Sequence, residues 1–495
     1  MGIVKRQSIK QSIVTYVGIL IGMVNVLYVY PKFLEKDEYG VITFITSNAI
    51  ALAPIIMFGA GSLVIRYFPN FKDEDKKHHG FLPFLFTLVF TGFSLFCLLC
   101  FIFKSSITGL YVDKSILTQT YLPYIIPLVF LLSLVQLLTK YISNFHRIVV
   151  PHILSYLAPK LIQPALVILF FIGLIQFQEV FNGILMMYFL ILLGLFIYTK
   201  WLGQLSFQFQ TDFFTKDLIK DMRTYGSYGL IGSLGSSLAT SIDVYMIGTL
   251  IDIGEVAVYS IAFFISGVID VPRKAIENIV SPILAEAHSR NDFAKIKELY
   301  VKTSINQLIV GILLFAGIWA SIDDLFSIMP KGEEYAMGKY VVLILGLGTL
   351  VDLATGVNAY IIGYSKYFRF NFYLILIMAV VNIANNFLLI PIYYINGAAL
   401  ATFFSKTIYN VIKTWFVWSK MKIHPFNKDT FWVITLGVVV YFISQIIPMT
   451  DNYFINIVLK SATIASLFLG GVVYFRLSPD VDATVNWLLE KIKKR

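Results

Sequence analysis

Five cationic side chains lie within, or at the ends of, strongly apolar segments of this 495-residue chain. At 1.5 Å per helical residue, Lys160 and Lys406 each lie about 15 Å from one end of their predicted helices. A charge at that depth is costly unless it faces a cavity or a partner. Arginine binds phosphate through a bidentate fork, and lysine binds it as a point charge. Lys160, Lys406, Arg273, Lys274 and Arg66 therefore predict a cationic, substrate-binding cavity for a phosphate-containing group.

A structural role is the alternative for each of these cations, and for Lys160 and Lys406 it would be pairing with a structural partner. Asp270, Arg273, Lys274 and Glu277 follow i, i+3, i+4, i+7 spacing, so they share one helix face and can neutralise one another. Arg66 ends its predicted helix and could extend its guanidinium to the membrane interface. Lys160 and Lys406 lie too deep to reach the interface easily.

The stretch NIANNFLLIPIYYINGAALATFF at 382–404 is mostly apolar, yet it carries polar groups at helical spacing. Asn382 and Asn386 are four residues apart and share one helix face, as do Ala398 and Thr402. The two helices are predicted to be antiparallel neighbours joined by a short turn, so these faces can meet. Two amide oxygens, a hydroxyl and the Ala398 carbonyl would then lie together.

A carboxylate from an earlier helix completes this set. Asp243 lies about 27 Å along its own helix, in the same half of the membrane. Hard oxygen ligands with one negative charge suit a monovalent cation better than a transition metal. We therefore predict a sodium site here, or a proton carried on Asp243. The asparagines could instead only bridge the helices by hydrogen bonds, and Asp352 is an alternative or additional carboxylate for a cation or proton.

Composition indicates a helical membrane protein. The chain is 58% hydrophobic and only 14% charged, and its mean hydropathy is +0.77. Apolar runs of about 20 residues recur, which is the length of a membrane-spanning helix. We predict an all-α polytopic protein with about fourteen spans, near 11–30, 40–65, 81–103, 120–142, 152–174, 180–201, 226–250, 255–282, 303–322, 339–363, 370–390, 395–417, 430–447 and 456–475.

The distribution of positive charge predicts the orientation. Of the 39 lysines and arginines, 28 fall in the termini and alternate loops, against six in the opposite loops. By the positive-inside rule both termini are cytoplasmic. This bias explains the net charge of +10 without a nucleic-acid partner.

Two similar halves are suggested by an internal repeat. VFNGILMMYF at 180–189 and YINGAALATF at 394–403 both place Asn-Gly near a helix start, 214 residues apart. Six helices repeated around a cavity are typical of transporters. We predict a lobe at 1–210, a second lobe at 211–420 related by a pseudo-twofold axis, and a helix pair with a basic cytoplasmic tail at 421–495.

Three segments carry a resemblance to a known family. They are LEKDEYGVITFITSNAIALAPIIMFGAGSLVIRYFP (34–69), IDVYMIGTLIDIGEVAVYSIAFFISGVID (242–270) and NNFLLIPIYYINGAALATFFS (385–405). In this order they resemble segments of Wzx-type O-antigen and capsular polysaccharide flippases, of the multidrug/oligosaccharidyl-lipid/polysaccharide exporter superfamily. The resemblance implies alternating access and movement of an undecaprenyl-pyrophosphate-linked oligosaccharide. The predicted cation site is also similar to the sodium site of lipid II flippases, although Asn386 stands where an acidic residue can occur.

Other functions remain as alternatives. A multidrug cation antiporter of the same superfamily would have twelve helices and an acidic cavity, and a lipid II flippase would have arginines in its first helix. A membrane glycan polymerase would need a large outer loop with catalytic groups. We therefore predict a transporter and not an enzyme, without a cofactor beyond a Na⁺ or H⁺ coupling ion. It would act as a monomer among membrane lipids, alongside a glycan polymerase.

Overall fold

The computed structural model describes residues 2–73, 75–109, 116–208, 213–447 and 449–483. These residues form helices and short connections, and they contain no β-strand. The predicted all-helical polytopic fold is thereby confirmed. Contacts divide the chain into two compact units, Met1–Ala257 and Val258–Arg495.

The first unit contains the long helices α1 (Gly2–Val24), α2 (Lys36–Ile56), α3 (Ala60–Phe71), α4 (Phe81–Ile102), α5 (Ile125–Ser143), α6 (Ala158–Phe171), α7 (Phe177–Trp201) and α8 (Lys216–Leu250). A π-helical turn, Asn25–Val29, follows α1, and a second, Ile153–Leu157, precedes α6. Such π-turns are often found at functional sites. Here they flank Lys160, as described below.

The predicted single span at 40–65 is wrong, because the structure divides it into α2 and α3. A capping box between Glu35 and Glu38 starts α2. The helix ends at Ile56, and α3 begins only after Gly59, which has a φ of 85°. A left-handed residue cannot continue a right-handed helix, and glycine adopts this conformation without a steric cost.

The long helix α8 packs against both α2 and α3. The backbones of Gly59 and Gly226 approach closely, so that a Cβ on Gly59 would lie 2.5 Å from the Gly226 carbonyl oxygen. Near the same end, the Tyr67 hydroxyl donates a hydrogen bond of 2.5 Å to Asp221. The helix α8 is therefore held against α3 by the close approach of two glycine backbones and by one side-chain hydrogen bond.

The second unit contains α10 (Val271–Ser289), α11 (Phe293–Ala320), α12 (Lys339–Ala354), α13 (Phe368–Tyr393), α14 (Ile395–Met421), α15 (Lys428–Ser444) and α16 (Tyr453–Tyr474), while α9 (Ile253–Gly267) begins in the first. α11 packs against α15 and α16 through a buried apolar core that includes Ile309, Val433 and Phe468. The last two helices are therefore an integral part of this unit.

A buried ion pair holds α16 in place. Lys460 on α16 lies 2.8 Å from Asp324 in the short helix Ile322–Ile328, and the two side chains are only 4% and 6% exposed. Asn456, one turn before Lys460, donates a second hydrogen bond to the same carboxylate at 3.1 Å. Both oxygens of Asp324 thus have a partner, as a buried carboxylate requires.

Eleven helices are long and apolar enough to cross a membrane, or twelve if the two parts of the bent α8 count as one span. This number covers only the described residues. The two other predicted spans correspond to α14, which carries three lysines, and to α15, which has 17 residues. The predicted count of fourteen is therefore not confirmed. The predicted boundaries of the lobes stay a prediction, and the end of the basic tail, residues 484–495, lies outside the described residues.

We expect Lys460→Met to destabilise the second unit by about 3–5 kcal/mol, because it leaves the Asp324 carboxylate buried without its cation. The control is Lys295→Gln, which removes an exposed pair with Glu298 and should cost at most about 1 kcal/mol. Thermal unfolding in detergent micelles measures the difference. Equal losses in the two variants would contradict a stabilising role for the buried pair.

Candidate functional site

A half-buried polar network joins α12 to α14 in the second unit. Lys406 Nζ lies 3.2 Å from Asp352 Oδ2, and the Asn410 side-chain amide donates to Asp352 Oδ1 at 2.5 Å. Lys406 and Asn410 are four residues apart, so α14 presents both to the same carboxylate. Thr355 Oγ1 lies 3.0 Å from Asn410 Oδ1 and extends the network beyond the end of α12. The deep charge of Lys406 is therefore compensated.

Arg273 on α10 is held between two carboxylates of its own helix. Its Nε and Nη2 donate to Asp270 at 2.5 and 3.0 Å, and its Nη1 donates to Glu277 at 3.0 Å. Lys274 lies 3.8 Å from Asp270, but its side chain is 71% exposed. The pairing of Arg273 is thus the one expected from the structural alternative, in which the charges on this helix face neutralise one another.

Lys413 is a deeply buried cation of a different kind. It is 4% exposed and lies over the ring of Tyr409, with 4.2 Å between its Nζ and the ring centroid. Among the described residues it forms no ion pair. Asp352, Arg273 and Glu277 all act electrostatically on it. Lys413 therefore lies near the charged groups of Arg273, Glu277 and Asp352 without a direct ion pair to any of them.

Lys160 lies in the first unit, in the first turn of α6. Its Nζ donates to the Gly18 carbonyl oxygen of α1 at 2.9 Å and lies 3.9 Å from the centroid of the Tyr156 ring. Asn25, in the π-turn after α1, donates to the Lys160 carbonyl oxygen at 2.6 Å. No carboxylate within the described part of the chain pairs with Lys160. It is half-buried, so its ammonium group can still accept an anion as a partner.

Two stacked aromatic rings lie next to Lys160, in the segment that precedes α6. The rings of His152 and Tyr156 stack with 4.7 Å between centroids and 9° between planes. Thr15 on α1 hydrogen-bonds His152 Nε2 at 2.9 Å. The sequence analysis did not identify these two rings, although Tyr156 and His152 lie four and eight residues before Lys160, which is helical spacing.

Arg66 lies on the exposed surface of α3. Its guanidinium carbon is 4.2 Å from the centroid of the Tyr225 ring and 5.8 Å from that of Tyr67. These are cation–π contacts, which leave the edge of the guanidinium group available to an anion. No acidic side chain in the described ranges forms a salt bridge with it.

Four of the five residues of the predicted cation site lie on α13 and α14, which pack closely against each other. Asn382, Asn386 and Ala398 are completely buried, and Thr402 is 4% exposed. The Asn386 amide lies 3.4 Å from Asn382 Oδ1, and Ser405 Oγ lies 3.5 Å from the same oxygen. The sequence analysis did not identify Ser405 as part of this polar group.

Asp243 lies on α8 in the first unit and is 6% exposed. The groups gathered on α13 and α14 are neutral oxygens and amides, which could contribute to the coordination of a sodium ion but carry no charge. In the described residues no cluster of three or more His, Cys, Asp or Glu side chains could hold a metal ion. The sodium or proton site therefore stays a prediction.

Comparisons with known proteins agree with this architecture. Residues 4–288, more than half of the chain, match the family described as "Polysaccharide biosynthesis protein". The chain belongs to this family. Residues 230–388 also match the MatE family. The resemblance noted in the sequence is thereby confirmed, and the protein is a flippase or transporter of the multidrug/oligosaccharidyl-lipid/polysaccharide exporter superfamily.

Individual relatives are distant. An uncharacterized membrane protein of Methanocaldococcus jannaschii, MJ1068, is 24% identical over 477 residues, which cover 92% of this chain and 89% of that protein. The probable low-salt glycan biosynthesis flippase Agl15 of Haloferax volcanii is 22% identical over 126 residues. That match spans about a quarter of either chain (26%).

Solved structures show the same fold. The lipid II flippase MurJ in an inward closed conformation has a TM-score of 0.74 at 15% identity, covering 94% of this chain and 98% of its own. An inward-facing multidrug resistance MATE transporter has a TM-score of 0.62 at 12% identity, covering 82% and 94%. At such identities the likeness concerns the fold alone.

The Lys406–Asp352 pair can be tested by a double-mutant cycle. We expect Lys406→Met to lower the free energy of unfolding by about 1–3 kcal/mol, because an uncompensated carboxylate stays between α12 and α14. Adding Asp352→Asn should recover at least about 1 kcal/mol of this loss, as expected for residues in contact. Additive effects in thermal unfolding of the purified protein would show that the two side chains act independently.

Proposed function

We propose that this protein translocates a lipid-linked oligosaccharide across the membrane by alternating access, and that Lys160 contacts the pyrophosphate headgroup. Membership in the polysaccharide biosynthesis protein family supports a glycan substrate. The similarity to Agl15, a probable low-salt glycan biosynthesis flippase, supports it further. The multi-pass fold fits a carrier whose substrate has an apolar chain and a polar head.

The contacts of Lys160 carry the proposal. Arg273 and Lys406 already have carboxylate partners, so an anion that approached them would compete with existing ion pairs. Lys160 instead has one carbonyl acceptor and one aromatic ring as partners. A lysine ammonium group has three donors. It can therefore bind phosphate oxygens while it keeps its bond to Gly18.

The finer details rest on the sequence. We propose undecaprenyl-pyrophosphate-linked repeat units of an O-antigen or capsule as the substrate, and a bacterial cytoplasmic membrane with both termini inside as the location. The excess of basic residues in alternate loops supports this topology. We further propose that the protein functions as a monomer, with a glycan polymerase acting on its product. Cysteine-accessibility labelling of alternate loops tests the orientation.

We expect Lys160→Gln to reduce translocation of the lipid-linked glycan by about tenfold or more, since a charge-assisted hydrogen bond is worth about 1.5–3 kcal/mol. Lys160→Arg should retain part of the activity, because it keeps the charge. The assay measures translocation in proteoliposomes and complementation of a flippase-deficient strain, at equal amounts of membrane protein. The matched control is Lys104→Gln, which removes an exposed lysine of the same unit.

Full transport by Lys160→Gln would overturn the headgroup contact. The same proteoliposomes should also be offered a lipophilic cation and lipid II. The match of residues 230–388 to the MatE family favours a multidrug antiporter as the second candidate. Efflux of the cation without movement of any lipid-linked glycan would establish that alternative, and movement of lipid II alone would establish a lipid II flippase.

We also propose that an ion gradient drives the transport cycle. Asp243, Asn382, Asn386, Ala398 and Thr402 are the proposed sodium ligands. Asp352 is the proposed proton carrier, because protonation of its carboxylate would remove its attraction to Lys406. Ion binding drives a switch only where the two states differ in affinity for the ion.

The two ion hypotheses predict different variants to fail. If sodium binds at Asp243, a sodium gradient should accelerate wild-type flux, and Asp243→Asn should abolish this acceleration. If a proton binds at Asp352, a pH gradient should accelerate flux, and Asp352→Asn should abolish that response. Flux is measured at fixed membrane potential with one gradient at a time. A wild-type flux that responds to neither gradient would show that transport is not ion-coupled.

A further inference from the structure

A cavity of about 460 Å³ opens beside the last turns of α14 in the second unit. Val411, Thr414, Trp415 and Trp418 of α14 form one wall. Its volume lies in the range of small-molecule sites, about 300–1,000 Å³. The lining is almost entirely apolar. An occupant must therefore be mainly apolar itself.

The position of this cavity connects it to the lipid bilayer. Val411, Trp415 and Trp418 are 60%, 59% and 52% exposed, on a helix of a membrane protein. Tryptophan is enriched at the level of lipid headgroups, where its ring is apolar and its N–H can reach a polar partner. The outer wall of the cavity thus lies where acyl chains meet headgroups.

Basic groups surround the end of the helix at this level. Lys422 ends α14 one turn after Trp418, on the same helix face, and is exposed, and His424 lines the cavity. Clusters of basic residues at a membrane boundary attract anionic lipids, at about 1 kcal/mol per residue. The charge beside the cavity is therefore complementary to a phosphate-containing headgroup.

The inner wall of the cavity reaches the polar network already described. Thr355 lines the cavity, and its hydroxyl lies 3.0 Å from Asn410 Oδ1. Asn410 in turn donates to Asp352. An apolar chain in the cavity would separate this network from water that enters along the surface of α14.

We propose that this cavity binds one acyl chain of an anionic membrane phospholipid, whose headgroup phosphate is held by Lys422 and His424. The volume accommodates part of a single chain and is small for the long chain of a polyprenyl lipid. The bound molecule is thus a resident lipid of the second unit. This inference does not depend on the function proposed above.

Native mass spectrometry of the full-length, delipidated protein tests the proposal by titration with phosphatidylglycerol or phosphatidylcholine. We expect one phosphatidylglycerol to bind at least about tenfold more tightly than phosphatidylcholine. The variant Lys422→Gln should lose about fivefold of this affinity, which corresponds to about 1 kcal/mol. Val411→Phe narrows the cavity at an exposed position and should weaken retention of both lipids.

Matched controls separate this site from general lipid adhesion. Lys295→Gln/Lys297→Gln removes two lysines elsewhere in the second unit, and Ile377→Phe adds the same ring to an exposed position of α13; neither should change lipid retention. The proposal is overturned if both lipids bind equally, or if the control variants lose as much lipid as the cavity variants. Displacement of phosphatidylglycerol by equimolar undecaprenyl phosphate would overturn it too, since the cavity would then prefer a polyprenyl chain.

Discussion

The ion pair between Lys406 and Asp352 joins α12 to α14. It illustrates the constraint on which the arrangement of charged groups in the second unit depends. A charge in the membrane must find either a compensating partner or a polar cavity. Lys406 has a carboxylate, Arg273 has two, and Asn410 satisfies the second oxygen of Asp352. The pair of Lys406 with Asp352 links α14 to α12, because each of these charges would otherwise lack a partner in the membrane.

The charge of Lys160 meets the same constraint with different partners. Its ammonium group contacts a carbonyl oxygen and the face of a tyrosine ring. Both contacts stabilise a cation without neutralising its charge. Such a group retains an attraction for an anion, which a closed ion pair has largely lost. Two lysines at similar predicted depth thus differ in their partners: Lys406 has a carboxylate, and Lys160 has none among the described residues.

Local patterns in the sequence predicted local contacts well. The spacing of Asp270, Arg273 and Glu277 predicted their pairing, because residues three and four apart always meet on a helix. The pair of Lys406 with Asp352 could not be predicted in this way. It joins side chains 54 residues apart in the sequence, and only the packing of α12 against α14 brings them together. The break at Gly59 was missed because hydropathy does not report a backbone dihedral angle.

The helix α14 connects two polar centres of the second unit. Ser405 contacts Asn382 on α13, and the next residue, Lys406, contacts Asp352 on α12. Consecutive residues of a helix point about 100° apart, so one short segment of α14 packs against both neighbours through polar contacts. A rotation or shift of α14 would therefore change the amide cluster and the ion pair together. If an ion binds on one side of α14 in only one conformation, its binding free energy biases the arrangement on the other side, without any direct contact between the ion and Lys406.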